Sequence, residues 1–316
     1  MKLVSYRVVE KTEELRIGYL YDESVIDLHD AYKKMLIFKQ EMVMAEAVER
    51  SLLPADPGLF FSMGQEAIDR AKEAYQYIIE NGIDEVSHNK ADVTISTPVP
   101  DPSKIICVGK NYADHVTEMG GGDLPTHPVL FAKFNNALIG PEDAIVKSPH
   151  TNMLDYEVEL AVVIGKEASQ VTKDEALDYI AGYTIGNDTT ARDLQKRTPQ
   201  WLQGKTLDRS TPIGPWVVTA DEIADPSNLS IRSFVNGEER QSSNTSHLIF
   251  TIPFLIEFIS NLITLKPGDI ILTGTPDGVG FAMDPPQFLK SGDVVTLEIE
   301  GIGQMSNKVI NLPFSK

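Results

Sequence analysis

The stretch LDYEVELAVVIG, Leu154 to Gly165, decides how the rest of the chain is read. Taken as a β-strand, its side chains alternate between two faces, which puts Glu157 and Glu159 on one face with Ala161 and Val163. Tyr156, Val158, Leu160, Val162 and Ile164 take the other face. The second half is apolar on both sides, as in a strand buried in a core, so the glutamate pair stands at the mouth of that core. Two like charges one strand repeat apart and partly withdrawn from water need a proton or a cation between them. A hard divalent metal meets that need, whereas the same pair on a solvated strand face would need nothing.

Downstream, TKDEALDYI is expected as a helix with Thr172 as N-cap, and AGYTIGND as a strand closed by Asp188. GPWVVT, LSIRSFVNG with EERQ, DIILTG, DVVTLEIEG and GQMSNKVI read as further strands, with a hairpin at Asn236-Gly237. TIPFLIEFISNLITL is the one long helix of this half. Upstream, KIICVG and VLFAK read as strands, and NYADHVTEM as a short helix capped by Asn111 and followed by the flexible GGGDLPTHP. Three prolines in STPVPDPSK, Ser96 to Lys104, mark the best boundary.

The expected division is a small α+β N-terminal accessory domain over residues 1–97 and a catalytic domain over residues 98–316. The first holds the strands KLVSYRVV, RIGYLYD and SVIDL, then a helix from Asp30 to about Arg50 on Tyr32, Leu36, Lys39 and Val43, with Met35, Met42 and Met44 adding apolar bulk. A second helix over QEAIDRAKEAYQYIIENG stops at Asn81 and Gly82. Strands outnumber crossover helices throughout the second half. The fold class is therefore α+β, with a mixed, mainly antiparallel β-roll or barrel as catalytic domain rather than a doubly wound parallel sheet.

With 28 Lys and Arg against 46 Asp and Glu, the 316-residue chain has a net charge of -18, which argues against a nucleic-acid partner. An anion-binding site in such a chain must carry its own positive charge or metal. The longest apolar run, around Ile249 to Ile263, is broken by Pro253, Glu257, Ser260 and Asn261 and falls short of a membrane span. MKLVSYRVVEK has no apolar signal region, so the cytoplasm is the expected location. Cys107 stands alone, which excludes an internal disulfide and a cysteine zinc cluster, and its place in KIICVG reads as core.

Asp188 joins Glu157 and Glu159 in an all-carboxylate triad suited to Mg²⁺ or Mn²⁺ and poorly suited to zinc. Arg192 and Gln195 lie three apart on the helical turn after Thr189; Arg192 either binds a substrate carboxylate or pairs with Asp188 or Asp193. His115 and Glu118 have the same spacing, which lets the carboxylate orient the imidazole as a general base, or else makes an exposed helix pair. The glycines Gly120 to Gly122 behind them favour an active-site lid. Lys205 is either an electrophile for a developing oxyanion or an ordinary surface lysine. TGTPDGVG, lacking the lysine of a phosphate loop, reads as a tight loop that brings the Gly274 backbone and the Thr275 hydroxyl to a ligand.

VGKNYADH, LDYEVELAVVIG, GYTIGNDTTARDLQ, WLQGKTLD with PIGPWVVT, and LTGTPDGVG occur in the order found in the fumarylacetoacetate hydrolase family. The chain resembles that family from about Lys104 to Ile310, and most closely its members with a small N-terminal domain. The resemblance implies Mg²⁺ or Mn²⁺ on Glu157, Glu159 and Asp188, a His115–Glu118 lid dyad, and a substrate site lined by Arg192, Gln195, Lys205 and Thr275. It also implies a homodimer. The long-form members add an acidic metal ligand before the histidine; KIICVGKNY has none, so water takes that place and true fumarylacetoacetate hydrolysis is disfavoured.

The substrate expected is a 2-oxo acid. In the leading reading His115 activates water against the distant carbonyl of a 2,4-dioxo acid of the acylpyruvate or fumarylpyruvate type, Lys205 holds the oxyanion, and C–C cleavage leaves a pyruvate enolate. Oxaloacetate decarboxylation and isomerisation of an unsaturated 2-oxo diacid use the same enolate and stand as alternatives. A metal-bearing scaffold that binds a dicarboxylate without turnover is the non-enzymatic alternative.

Overall fold

The computed structural model describes residues 1–9, 14–39, 52–82 and 85–312. Strands β1 (Lys2–Val8), β2 (Arg16–Tyr21) and β3 (Ser24–Asp27) form an antiparallel meander. Helix α1 (Leu28–Phe38) follows at once, because the Asp27 carboxylate accepts the Asp30 amide at 2.8 Å and caps its first turn. That helix was expected to start at Asp30; Met42, Val43 and Met44, expected in its second half, lie outside the described residues. Helices α2 (Pro57–Ser62) and α3 (Gln65–Asn81) come next, with α3 ending at Gly82 as expected. Strands β4 (Ser87–Asn89) and β5 (Val93–Ser96) lead to the proline-rich segment.

Beyond it run β6 (Ile105–Gly109), α4 (Ala113–Glu118), β7 (Val129–Lys133), β8 (Leu138–Ile139), β9 (Ile145–Lys147), β10 (Leu154–Asp155) and β11 (Val158–Ile164). They are followed by β12 (Ile180–Asn187), β13 (Thr190–Ala191), α5 (Arg192–Gln195), α6 (Leu202–Lys205) and β14 (Thr211–Thr219). The chain ends with β15 (Ser230–Val235), β16 (Glu238–Asn244), α7 (Ile252–Leu262), β17 (Ile270–Leu272), β18 (Val294–Ile299) and β19 (Gly303–Asn311). The turn between β15 and β16 has Asn236 and Gly237 both at positive φ, the hairpin their sequence called for.

A 12-stranded sheet runs β4-β3-β2-β1-β14-β12-β11-β17-β6-β7, with β5 added on β1 and β8 on β14. A five-stranded sheet runs β16-β15-β18-β19-β9. Pairings are antiparallel except β8 with β14, β6 with β17 and β9 with β19. This is the mixed α+β architecture expected, and its sheets stay open rather than closing into a barrel. The β1–β14 pairing carries one sheet across the position of the expected boundary after residue 97. No helix among the described residues is long and apolar enough to cross a membrane.

The large sheet has a core on each face, and β11 is buried between them along its whole length. Tyr156, Val158, Leu160, Val162 and Ile164 face α7 and the five-stranded sheet, while Ala161 and Val163 face α1 and α3. Strand alternation thus divides these residues as the sequence predicts. Leu154 to Gly165 is nevertheless two strands: β10 pairs with β13, β11 pairs with β12 and β17, and Tyr156 and Glu157 leave the ladder between them. Side chains take over the freed amides. Asp155 Oδ1 accepts from Tyr156 N, Asn187 Oδ1 from Glu157 N and Gln241 Oε1 from Val158 N.

Two local expectations fail, each beside a bond formed at long range. Asn111 does not cap α4; its side chain instead bonds the Phe250 backbone on both sides and the Thr273 carbonyl. TKDEALDYI forms a turn and a short 3₁₀ helix over Ala176–Tyr179, and Thr172 Oγ1 donates to Glu175 Oε2 at 2.7 Å. The amide of Lys173 bonds Glu257 on α7.

Candidate active site

The carboxylates of Glu157, Glu159 and Asp188 meet where β11 begins and β12 ends, with ligand oxygens all within 4.8 Å of one another. All three are buried. The kink at Tyr156 and Glu157 brings Asp188 alongside, since Asp188 N donates to Glu157 O at 2.9 Å. Burial and the neighbouring Asp188 and Glu157 charges push the Glu159 carboxyl well above its usual range. Among the described residues its one hydrogen bond is from Gly274 N, at 2.7 Å. Burial also acts on Glu157, but Lys205 and Arg192 outweigh it and hold that carboxyl below the usual range.

Lys205, from α6, places Nζ 2.6 Å from both Glu157 Oε2 and Asp188 Oδ2 and 4.9 Å from the Phe131 ring centre. Burial opposes its charge; Asp188 and Glu157 more than compensate and raise its pKa. Arg192 pairs with Asp155 at 2.9 Å and Glu157 at 2.7 Å, not with Asp188 or Asp193. Gln195 Oε1 lies 3.3 Å from Arg192 Nη1. Asp193 instead accepts from Thr151 Oγ1, Asn152 N and Leu194 N.

His115 Nδ1 lies 2.8 Å from Glu118 Oε1, so the other ring nitrogen is left for the cavity that His115 lines. The second oxygen of Glu118 accepts Gly278 N at 2.8 Å and ties α4 to the loop after β17. Gly278 cannot be replaced without movement, since its φ is +97° and a Cβ would stand 2.0 Å from Arg240 O. In the same loop Thr275 Oγ1 accepts from Gln241 Nε2 at 2.8 Å, and Gly274 is packed against Asn111.

His115, Glu157, Glu159, Asp188, Arg192, Gln195, Lys205 and Thr275 all line one cavity of about 70 Å³, together with Lys110, Met119, Phe131 and Trp201. Glu118 and Gly274 stand behind it, each bonded to a lining residue. A larger cavity of about 620 Å³, bordered by Lys147, Arg240 and Lys290, holds none of the triad.

Two buried residues here escaped the sequence reading. Lys133 Nζ donates to the Thr189 and Lys205 carbonyls and to Thr211 Oγ1, and lies 2.9 Å from Asp188 Oδ1. Asp155 bonds Arg192 Nε and the Gly280 and Phe281 amides; burial raises its pKa against the pull of Arg192. Strand parity marks both. Asp155 shares the parity of Glu157 and Glu159, and Lys133 that of Phe131.

These residues fit a divalent metal. Asp188 Oδ1 is sealed from solvent without an aligned hydrogen bond, and Glu159 has one amide against two neighbouring carboxylates. Four carboxylates (Asp155, Glu157, Glu159, Asp188) face three cations (Lys133, Arg192, Lys205). A doubly charged ion on the triad turns that deficit into a surplus of one positive charge, and an all-oxygen donor set suits Mg²⁺ or Mn²⁺.

Residues 104–310 match the family described as fumarylacetoacetate (FAA) hydrolase C-terminal. The chain is 44% identical to oxaloacetate tautomerase YisK of Bacillus subtilis (strain 168) over 292 residues, 91% of this chain and 93% of that protein. It is 49% identical to the mitochondrial oxaloacetate tautomerase Fahd2a of Rattus norvegicus over 222 residues, 70% of this chain and 71% of that one. Among solved structures, maleylpyruvate hydrolase from Sphingobium sp. SYK-6 with manganese(II) and pyruvate superposes with a TM-score of 0.72 at 26% identity, covering 98% of this chain and 99% of that one. The chain belongs to the fumarylacetoacetate hydrolase family and is an enzyme of that family.

Proposed function

We propose that this enzyme interconverts the enol and keto forms of a small 2-oxo diacid of the oxaloacetate type, with Mg²⁺ or Mn²⁺ on Glu157, Glu159 and Asp188. The size of the cavity supports this most directly. At about 70 Å³ it lies far below the roughly 300–1,000 Å³ of pockets for drug-sized ligands, which favours an occupant of a few carbons. The relatives named as oxaloacetate tautomerases support the same substrate.

A divalent ion at the triad would act as a Lewis acid that polarises the 2-oxo group and acidifies its neighbouring carbon. His115, oriented through Nδ1 by Glu118, carries the proton between carbon 3 and solvent on its other ring nitrogen. Lys205 stays cationic through Glu157 and Asp188 and donates to the oxygen on which negative charge collects. Gln195 and Thr275 orient the substrate carboxylate, and Arg192, paired with Asp155 and Glu157, holds the acid wall in place beside them. The decay of enol absorbance on adding oxaloacetate with Mn²⁺ tests the reading. Loss of the catalysed decay with a chelator or in Asp188→Asn, together with loss of Mn²⁺ binding by that variant in calorimetry, is expected; full activity in either case overturns it.

Hydrolysis of an acylpyruvate is the second reading, carried by the His115–Glu118 pair, an arrangement that can equally activate water, and by the similarity to maleylpyruvate hydrolase. Release of pyruvate from an acylpyruvate, faster than oxaloacetate tautomerisation, would favour it. Oxaloacetate decarboxylation would show as pyruvate formed from oxaloacetate itself. A homodimeric, cytoplasmic enzyme completes the proposal, to be checked by light scattering and cell fractionation.

A further inference from the structure

Lys110 closes β6 between Gly109 and Asn111 with φ at +59°, a left-handed conformation that costs a lysine more than an asparagine or glycine. Both neighbours explain the backbone. Asn111 points inward to the Phe250 and Thr273 backbone, and Gly109 leaves room for Trp201, whose ring atoms would stand 2.5 Å from a Cβ there. Neither contact calls for a lysine side chain.

Lys110 is exposed yet lines the triad cavity, which places it at the cavity's outer end. The two inner lysine and arginine side chains in that wall are committed, Arg192 to Asp155 and Glu157 and Lys205 to Glu157 and Asp188. Among the described residues Lys110 has no ion pair and no side-chain hydrogen bond. A 2-oxo acid held by its carboxylate and keto oxygen at the buried end directs the rest of its chain toward this mouth.

We propose that Lys110 is a specificity residue that pairs with the second carboxylate of a 2-oxo diacid, a role that rests on the substrate class proposed above. It selects diacids over 2-oxo monoacids of the same length and leaves the proton transfer at His115 unchanged.

Oxaloacetate and 2-oxobutanoate have the same chain length and differ in a terminal carboxylate against a methyl group. Calorimetric binding of each to the full chain with Mn²⁺ tests the assignment. Lys110→Asn keeps a residue that tolerates positive φ and removes the charge. It is expected to weaken oxaloacetate about tenfold, as loss of a charge-assisted contact at a partly solvated position does, and to leave 2-oxobutanoate within about twofold. Lys110→Arg is expected to keep most of the preference. Equal weakening of both ligands, no change in either, or a wild-type protein without preference overturns the proposal. A wild-type preference for the diacid that Lys110→Asn removes, in a protein that does not turn the diacid over, defeats the proposed reaction and upholds the role of Lys110.

Discussion

Lys133 Nζ lies 2.9 Å from Asp188 Oδ1, with both side chains closed off from solvent. The same ammonium also satisfies the Thr189 carbonyl and the Thr211 hydroxyl, so it fastens the turn after β12 to β14. Replacing it with methionine leaves Asp188 with Lys205 as its remaining cation and takes this buried donor from the Thr189 and Lys205 carbonyls. Lys133→Met is expected to lower unfolding stability by about 3–5 kcal/mol in urea titration. A loss below about 1 kcal/mol would show that the turn is held by something else.

Glu118 orients His115 through one oxygen and accepts the Gly278 amide on the other. His115→Gln is expected to reduce turnover about 10²- to 10⁴-fold with Mn²⁺ affinity unchanged. Glu118→Gln should show a smaller loss in the same direction. Weakened metal binding in either variant would move these residues from proton transfer to the metal site.

Gly278 joins the His115–Glu118 pair to the loop after β17 through its amide. In Gly278→Ala the new Cβ meets Arg240 O and the backbone is strained by about 1–3 kcal/mol, so the amide withdraws from Glu118. A fall of about tenfold or more in turnover is expected. Gly292 also has positive φ but open space around it, and Gly292→Ala should leave turnover intact. Equal effects from both would assign the loss to general backbone strain.

Asp193 gives a pH signature outside the triad. Partial burial raises its carboxyl, but the Thr151 hydroxyl and the Asn152 and Leu194 amides outweigh that and lower its pKa. A carboxyl depressed in the folded state adds stability above its unfolded pKa and loses it as pH falls through the folded value. The stability gap between wild type and Asp193→Asn, read from urea midpoints, is therefore expected to be constant near neutrality and to shrink below about pH 4. A gap that widens on acidification contradicts the sign.

The period of two was enough to place Glu157 and Glu159 together and to separate their face from that of Leu160 and Val162, because strand alternation is a local property. What could not be read locally was which distant group each polar side chain prefers. Lys133 finds acceptors 56 and 78 residues away, and Asn111 abandons a cap for backbone 139 residues on. Arg192 had two acidic neighbours in sequence and pairs with neither, since the turn that carries it folds back on β10. The break at Tyr156 and Glu157 was hidden for the same reason: Asn187 and Gln241, which replace the ladder there, are remote in sequence.

Strand β11 carries Glu159 and lies between two cores, so its amides should exchange with solvent only when the whole sheet opens. Helix α4 has six residues and runs straight into Gly120, Gly121 and Gly122, all at positive φ with nothing near their Cβ positions. Its amides should exchange through small local openings. The strand that fixes Glu159 and the helix that carries His115 and Glu118 therefore answer to different openings of the molecule, one global and one local.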